Sequence, residues 1–342
     1  MANVPSRRDF MKRKRTLVTA TIERLAKKMG IAVHIEPTWG YVGQIVLPDG
    51  RTRYFRNTNL DLNGLGASEI ARDKAYAEHF LRRMGYPVIP GEVFYTPRWC
   101  TSIGSRRGLA AAYRYAKRIG FPVIVKPNSK SQGWGIRKVY NKRELLRAIK
   151  AFEHNERVFL VQRVATGHDY RIVVLDGKVI SAYERLPLSV TGDGHSTIAK
   201  SLKRKQTAFK RIGRDTVIKP QDDRITAELQ RQGMTRRTVP KKGEKIVLLP
   251  NANLSTGGDA IDVTTTLNPQ WATLAKKIAR DMNLRYVGVD VMSRETLDQP
   301  PASYVLIEVN AAPGLDHYAT IGRKQKQIVE DLYGRVLKAL LR

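Results

Sequence analysis

One cysteine in 342 residues, Cys100, leaves no partner for an intramolecular disulfide and no second thiolate for a metal cluster. Acids are scarce too: 31 Asp and Glu stand against 61 Lys and Arg, a formal net charge of +30. Aromatic residues make up 8% of the chain, and no apolar run approaches the length of a membrane span. The opening MANVPSRRDFMKRKR is basic, yet the adjoining segment is amphipathic and lacks the apolar core and small-residue cleavage site of a secretory signal. These absences exclude a disulfide-stapled domain, a thiolate metal site and a helical membrane protein, and make the cytoplasm the simplest compartment. The positive excess attracts polyanions of any kind, from nucleotides and nucleic acid to acidic peptides, and names none of them. Neither an aromatic-rich RNA-recognition strand nor a zinc-finger spacing is present, so nucleic acid is not expected as a specific partner.

The hydrophobic share, 42%, is ample for one large domain or a few modest ones, each with a core. Phe10–Gly30 reads as a basic amphipathic helix with Leu17, Ile22, Leu25 and Met29 on its apolar stripe. Strand Ile31–Glu36 and a hairpin, Tyr41–Leu47 with Arg51–Phe55, come next, turning at Pro48-Asp49-Gly50. Ala67–Met84 reads as one helix. It ends Gly85-Tyr86-Pro87-Val88, and the same pattern recurs at Gly120-Phe121-Pro122-Val123, marking two helix-to-strand hinges. The second hinge leads into a strand carrying a lysine, Val123–Lys126, and then a small, glycine-rich loop, Ser129–Gly135. Glycines free backbone N–H groups to surround phosphate oxygens, with Lys126 and Lys130 to neutralise them. No Gly-Lys-Ser/Thr opens a helix here, so this is not a Walker loop. Helix Glu144–Glu153, strand Arg157–Val164 and a hairpin of Tyr170–Leu175 with Lys178–Glu184 over Asp176-Gly177 complete the middle of the chain.

Near the end, Val305–Val309 is apolar enough to be a buried strand, yet it carries Glu308, with Asn310 two residues on and therefore on the same face. Tyr286–Met292 is a second apolar strand interrupted by one acid, Asp290. A buried carboxylate is costly unless it is paired or ligates a cation. An antiparallel pairing of the two strands brings Asp290, Glu308 and Asn310 to one surface, a hard-oxygen set suited to magnesium. Ala311–Gly314, small and turn-forming, lets the backbone approach a bulky ligand.

Together these segments resemble the ATP-grasp superfamily, and more narrowly the ATP-grasp parts of cyanophycin synthetases and bifunctional glutathione synthetases. The resemblance is carried, in order, by Asn63–Ala71 with Asp73-Lys74, Gly167–Arg171, Glu184-Arg185, Gly192–Gly194, Asn253–Gly258, Ala260–Thr264 and Glu308–Gly314. It implies an α+β ATP-grasp fold, with nucleotide held between two subdomains: 1–60 a short basic helix-and-hairpin region, 61–120 a helical region before the lid, 121–185 the lid, and 186–342 a C-terminal subdomain with a basic arm at 199–245. It also implies a reaction in which ATP phosphorylates a substrate carboxylate and an amine attacks the acyl phosphate. The cofactors would be ATP and Mg²⁺, with Mn²⁺ as the alternative. By position, Lys74, Lys126, Lys130, Ser131, Gly133 and Gly135 resemble the ATP phosphate site. Gln162, Arg163 and Val164 resemble the adenine hinge, with Val161 or Val164 on the ring, and Asp169 the ribose contact. Asp290, Glu308 and Asn310 resemble the metal ligands. Arg171, Arg185 and Asn253 resemble the groups that meet the reacting phosphates, and Gly257, Gly258, Gly314 and His317 the acceptor pocket.

Gln162 stands where relatives often carry Glu, and Trp99 and Trp134 read as packing residues. The chain stops soon after helix Gln325–Leu341 and has about sixty residues before Asn63, so a stand-alone ligase without a second catalytic half is expected. Substrates are expected to be amino acids or a small peptide. A variant resembling the ribosomal-protein glutamate ligases would modify an acidic protein tail, which the +30 charge suits. Relatives are commonly oligomers, so a homo-oligomer is compatible with the resemblance. The contrasting reading is a non-catalytic nucleotide- or nucleic-acid-binding scaffold; Lys126, Asp290, Glu308 and Asn310, present together, argue against it.

Overall fold

The computed structural model describes residues 15–341. The first residues of the expected N-terminal helix, 10–14, lie outside that range. The helix itself spans Leu17–Lys28, opened by Thr16, whose hydroxyl accepts from the Thr19 amide, and it buries Val18, Ile22 and Ala26. Leu17, Leu25 and Met29 pack at the margin of that stripe. Four strands form the next segment, an antiparallel meander: β1 (Ala32–Ile35), β2 (Val42–Val46), β3 (Thr52–Arg56) and β4 (Asn59–Leu60). They share a core with the long helix Arg323–Leu340 through Ile45, Phe55, Leu332 and Val336.

The single helix expected over Ala67–Met84 is two, Leu65–Arg72 and Lys74–Arg83, broken at Asp73. Asp73 is extended (φ −91°, ψ 109°), and its carboxylate caps the second helix by accepting from the Tyr76 amide. A capping aspartate competes with continuous helix, and here the cap wins. The break sets Lys74 at the start of a helix, where it reaches the cleft.

The lid is an antiparallel sheet of β5 (Gly91–Tyr95), β6 (Val123–Pro127), β7 (Arg137–Val139) and β8 (Val158–Arg163), in the order β5-β8-β6-β7. Helices Leu109–Ile119 and Lys142–Lys150 cover it, over a core that includes Phe94, Val125, Leu145, Phe159 and Val161. Both hinges are present, with Gly85 and Gly120 at φ 84° and 86°. The lid therefore takes in β5 and a helix assigned to 61–120, and ends with β8 rather than at 185.

β9 (His168–Leu175) and β10 (Lys178–Leu186), joined across Asp176-Gly177, belong to a different sheet. After them come β11 (Ser189–Thr191), β12 (Lys245–Val247), β13 (Asp259–Asp262), β14 (Tyr286–Ser293) and β15 (Tyr304–Asn310). The large sheet runs β13-β10-β9-β14-β15, antiparallel throughout. Both its faces are buried. Tyr170, Ile172 and Val174 face helix Pro269–Asp281 through Trp271 and Ile278, while Val173 and Leu175 face the N-terminal meander. A strand covered on two sides reads as a continuous apolar run, which is why an acid inside it is conspicuous.

The basic arm is more than a solvated extension. Its helices Ile198–Arg211 and Asp223–Arg231 close with β11 and β12 around a core of Leu188, Leu202, Phe209, Ile225, Leu229 and Leu248. It forms a small lobe over 188–249. No helix among the described residues is long and apolar enough to cross a membrane.

Candidate active site

A cleft of about 1840 Å³ lies between the lid, the large sheet and the basic lobe. Its cationic wall begins with Lys126, whose position in β6 is fixed by pairing with β7 and β8 on either side. Lys126 is 5% exposed, and its ammonium has no hydrogen-bond partner among the described residues. Burial drives its pKa down to about 8 against the pull of Glu308, and neighbouring Lys74 lowers it further. Lys74 is held differently: its ammonium donates to the Asn128 carbonyl at 3.2 Å and to that of Lys130, tying it to the glycine-rich loop. An ammonium has three donors, so one remains for a ligand.

That loop lies against the segment just after the basic lobe and against the lobe itself. Ser255 Oγ donates to the Gln132 carbonyl at 3.2 Å, and Arg224 Nη1 to that of Gly133 at 3.2 Å. Gly133 sits at φ 71°, and a Cβ there would overlap the Asn253 amide. Two ion pairs extend the clasp, Arg137 with Asp223 at 2.9 Å and Arg231 with Glu144 at 2.8 Å. Arg231 also lies 4.3 Å from the Tyr140 ring centre.

The expected pairing of β14 and β15 is present, with Asp290 opposite Glu308 and Gly288 opposite Asn310. The Asn310 amide donates to Asp290 at 3.3 Å and to Glu308 at 3.1 Å, so all three meet on one surface. Their surroundings differ. Asp290 is fully buried and clamped by Arg171, with Nε at 2.6 Å and Nη2 at 2.7 Å, and by Arg185 Nη1 at 2.8 Å. Glu308 and Asn310 line the cleft, whereas Asp290 stands behind its arginines. Burial alone would raise the Glu308 pKa, but Lys74, Arg171 and Lys126 outweigh it and hold the acid at about 2, ionised throughout the neutral range. Arg185 also binds Asp169 Oδ1, with Nε at 2.8 Å and Nη2 at 2.5 Å, and burial still lifts Asp169 to about 6.

These donors fit a hard divalent cation in part. Glu308, ionised and facing the cleft, supplies a carboxylate; Asn310 here turns its NH₂ to both acids and would supply a carbonyl oxygen once its amide is reversed. Asp290 is the least available of the three: it does not line the cleft, and its Oδ2 already accepts from Arg171, Arg185 and Asn310, leaving only Oδ1, which accepts from Arg171 Nε alone.

Lys74, Lys126, Lys130, Ser131, Gly133, Gln162, Arg163, Val164, Asp169, Arg171, Arg185 and Asn253 line the same cleft, as do Gly314 and His317. Gly135 packs instead on Pro127 and Phe152, turning the loop back. Gly257 packs on Leu188 and Ile218, and Gly258 on the Leu186 carbonyl, both behind the cleft wall. Of the two hinge valines, Val164 lines the cleft and Val161 lies in the lid core. Trp99 is covered by Arg157 at 4.4 Å, but Trp134 is 42% exposed beside Lys130 rather than packed. Three further residues take part that sequence reasoning missed. Glu78 accepts from Gln162; Arg214 reaches across to the Leu254 and Gly258 carbonyls; Met292 presents an apolar side chain beside Asp169. Only Met292 carried a signal, being two residues beyond Asp290 on one strand.

The sheet order, the lid and the cleft define an ATP-grasp protein. Residues 74–201 match the family model described as D-ala D-ala ligase C-terminus, and 249–332 the RimK-like ATP-grasp domain. The chain is 34% identical over 263 residues to cyanophycin synthetase of Trichormus variabilis, covering 75% of this chain and 28% of that protein. It is 30% identical over 274 residues to the glutathione biosynthesis bifunctional protein of Streptococcus mutans, covering 77% and 35% respectively. Among solved structures, a bifunctional glutathione synthetase from Pasteurella multocida superposes with a TM-score of 0.58 at 23% identity, over 94% of this chain and 44% of that one. The chain thus spans about a third of the length of the curated relatives it matches.

Proposed function

We propose that this chain is an ATP-dependent ligase that joins a carboxylate to an amine through an acyl phosphate, acting on amino acids or a small acidic peptide. The observation that carries this reading is Lys126, only 5% exposed, whose ammonium opens on the cleft without a hydrogen-bond partner among the described residues, near an ionised Glu308 that lines the same cleft. A buried charge left open is costly, and an anionic phosphate is the group that completes it.

In this reading the nucleobase lies at Gln162–Val164 and the ribose at Asp169. Lys74, Lys126 and the N–H groups of the 129–135 loop hold the phosphates. Magnesium held by Glu308 and Asn310 would supply charge neutralisation between phosphates. Arg171, at the edge of the same group, faces the oxygens that gain charge as the γ-phosphoryl passes to the substrate carboxylate, and the lid excludes water from the mixed anhydride. The amine then attacks the acyl carbon, expelling phosphate and leaving the amide. His317 lines the acceptor end, 3.6 Å from Asp215.

A peptide or protein tail rich in acids is the variant supported by the basic lobe, whose Lys200, Lys203, Lys210 and Arg211 are exposed. Such an acceptor would be drawn in by long-range attraction, so raising salt would raise its KM far more than that of a neutral amino acid.

The test is ATP-dependent phosphate release with pools of amino acids and acidic peptides, with mass spectrometry of the products. A new mass equal to two substrates less water, absent with Glu308→Ala, supports the ligase. A wild-type protein that binds ATP but releases no phosphate with any acceptor supports the scaffold reading.

A further inference from the structure

Gln162 is 3% exposed, on the lid strand that faces the nucleotide end of the cleft. Its cross-strand neighbours are Gly91 on one side and Ile124 on the other. The side chain lies over Gly91, where a Cβ would overlap its Cγ, so glycine at that position is what lets the amide lie flat along the strand. From there Nε2 donates to Glu78 Oε2 at 2.7 Å. Glu78 does not line the cleft; it stands behind Gln162 on helix Lys74–Arg83, and its other oxygen accepts from Arg82 Nη2 at 2.6 Å.

A carboxylate engaged by a guanidinium accepts and does not donate. Beside it a glutamine can present only its NH₂ edge, so the orientation of the Gln162 amide is set by its neighbour. Oε1 is left with no partner among the described residues, and the residue borders the cleft. A fixed acceptor at the nucleobase end discriminates between purines. It takes a hydrogen bond from the 6-amino group of adenine and opposes the 6-oxo group of guanine, whose lone pairs face its own.

We infer that Glu78 is a positioning residue that orients the Gln162 amide and thereby makes the cleft selective for adenine over guanine nucleotides. The inference rests on the ligase reading only in requiring that a purine nucleoside triphosphate binds here. Glu78 never touches the nucleotide in this arrangement. The Glu78 charge also acts on Lys126, but equally for ATP and GTP, which carry the same triphosphate, so that effect cancels in their ratio.

The experiment is calorimetric titration of the full chain with ATP and with GTP, for wild type, Glu78→Gln and the exchanged pair Glu78→Gln with Gln162→Glu. In the single variant the amide at position 78 can donate or accept, Gln162 is free to turn over, and the ATP-to-GTP affinity ratio falls roughly tenfold or more. In the exchanged pair, the amide at position 78 donates to the carboxylate at position 162, whose second oxygen is again an acceptor, and the preference for ATP returns. A purely structural role for Glu78 would lower both affinities together and would not be rescued by the exchange, which overturns the inference. So would a wild-type protein that binds both nucleotides equally. Should Glu78→Gln unfold, Gln162→Met, of similar length and without the acceptor, must collapse the same ratio; if it keeps the ratio, the inference fails. Absence of any triphosphate binding to wild type would instead overturn the ligase reading itself.

Discussion

Two clusters of buried charge share the floor of the cleft, and they are finished to different degrees. Around Asp290 the arrangement is closed: Arg171 and Arg185 supply five N–H bonds to Asp290 and Asp169, at 2.5–2.8 Å. Around Lys126 it is open, with an ammonium that has no hydrogen bond among the described residues and a Glu308 carboxyl whose pKa surrounding cations hold at about 2. In the first arrangement each charge has the partners that burial demands, so removing any one of them leaves an uncompensated buried charge. The second lowers stability and keeps a place for an anion. Side by side, they separate charges already paired within the protein, some of which also border the cleft, from a lysine left without a partner among the described residues.

The largest effect that tests this contrast is expected from Arg185→Met, which strips Asp169 of both its N–H partners and Asp290 of one. Removing one side of a buried pair costs about 3–5 kcal/mol, readable as a lowered urea midpoint; a change below about 1 kcal/mol would show that the closed cluster is not what holds the sheet. Lys126→Met should act in the opposite direction, raising stability by about 1–2 kcal/mol while weakening ATP binding about 100-fold. Loss of stability together with loss of binding would erase the distinction.

A pH titration sharpens the same point. Lys126 titrates near 8 in the folded protein and near 10.5 when unfolded, so its destabilising effect is complete below pH 8. Between these values the unfolded chain holds more protons, so the Lys126 contribution to stability rises with pH. ATP affinity should move the other way, falling above pH 8 as the ammonium loses its proton; affinity flat to pH 10 would remove Lys126 from the phosphate site. The smallest effect belongs to the clasp between lid and basic lobe. Arg231→Ala breaks a partly exposed ion pair with Glu144 across the clasp, a second with Glu228 inside the lobe, and a ring contact, worth about 0.5–1 kcal/mol. Stopped-flow release of a fluorescent ATP analogue should quicken a few-fold, and an unchanged rate would mean the lid opens without parting from the lobe.

The sequence displays most plainly what breaks a local rule. An acid inside an apolar strand exposes Asp290 and Glu308, and a doubled Gly-aromatic-Pro-Val pattern exposes the hinges at Gly85 and Gly120. Hairpins with Asp-Gly turns are legible because turn chemistry is local. Long-range partnership is not. Nothing near residue 290 announces Arg171 and Arg185, which arrive from two other strands, and nothing near 162 announces Glu78. At 188–249 surface charge masks the lobe, since its core residues are spread thinly among lysines and arginines on short helices. At Asp73, capping geometry overrides the helical pattern on either side. ATP-grasp membership is legible only from the ordered set of motifs, no one of which is specific.

Asn63 joins segments that are far apart in the chain. Its amide donates to the carbonyls of Tyr286 at 2.7 Å and Ala311 at 2.8 Å, and its oxygen accepts from the Tyr286 amide at 2.9 Å. One side chain thus satisfies three main-chain groups, from segments more than two hundred residues away. Closing loops of that length is entropically slow and is rewarded only once the distant strands have met. The lid and the basic lobe, each with its own core, can collapse early, whereas the large sheet and the cleft depend on late, long-range docking. In refolding, nucleotide binding should therefore be among the last properties to return, well after most of the secondary structure has formed.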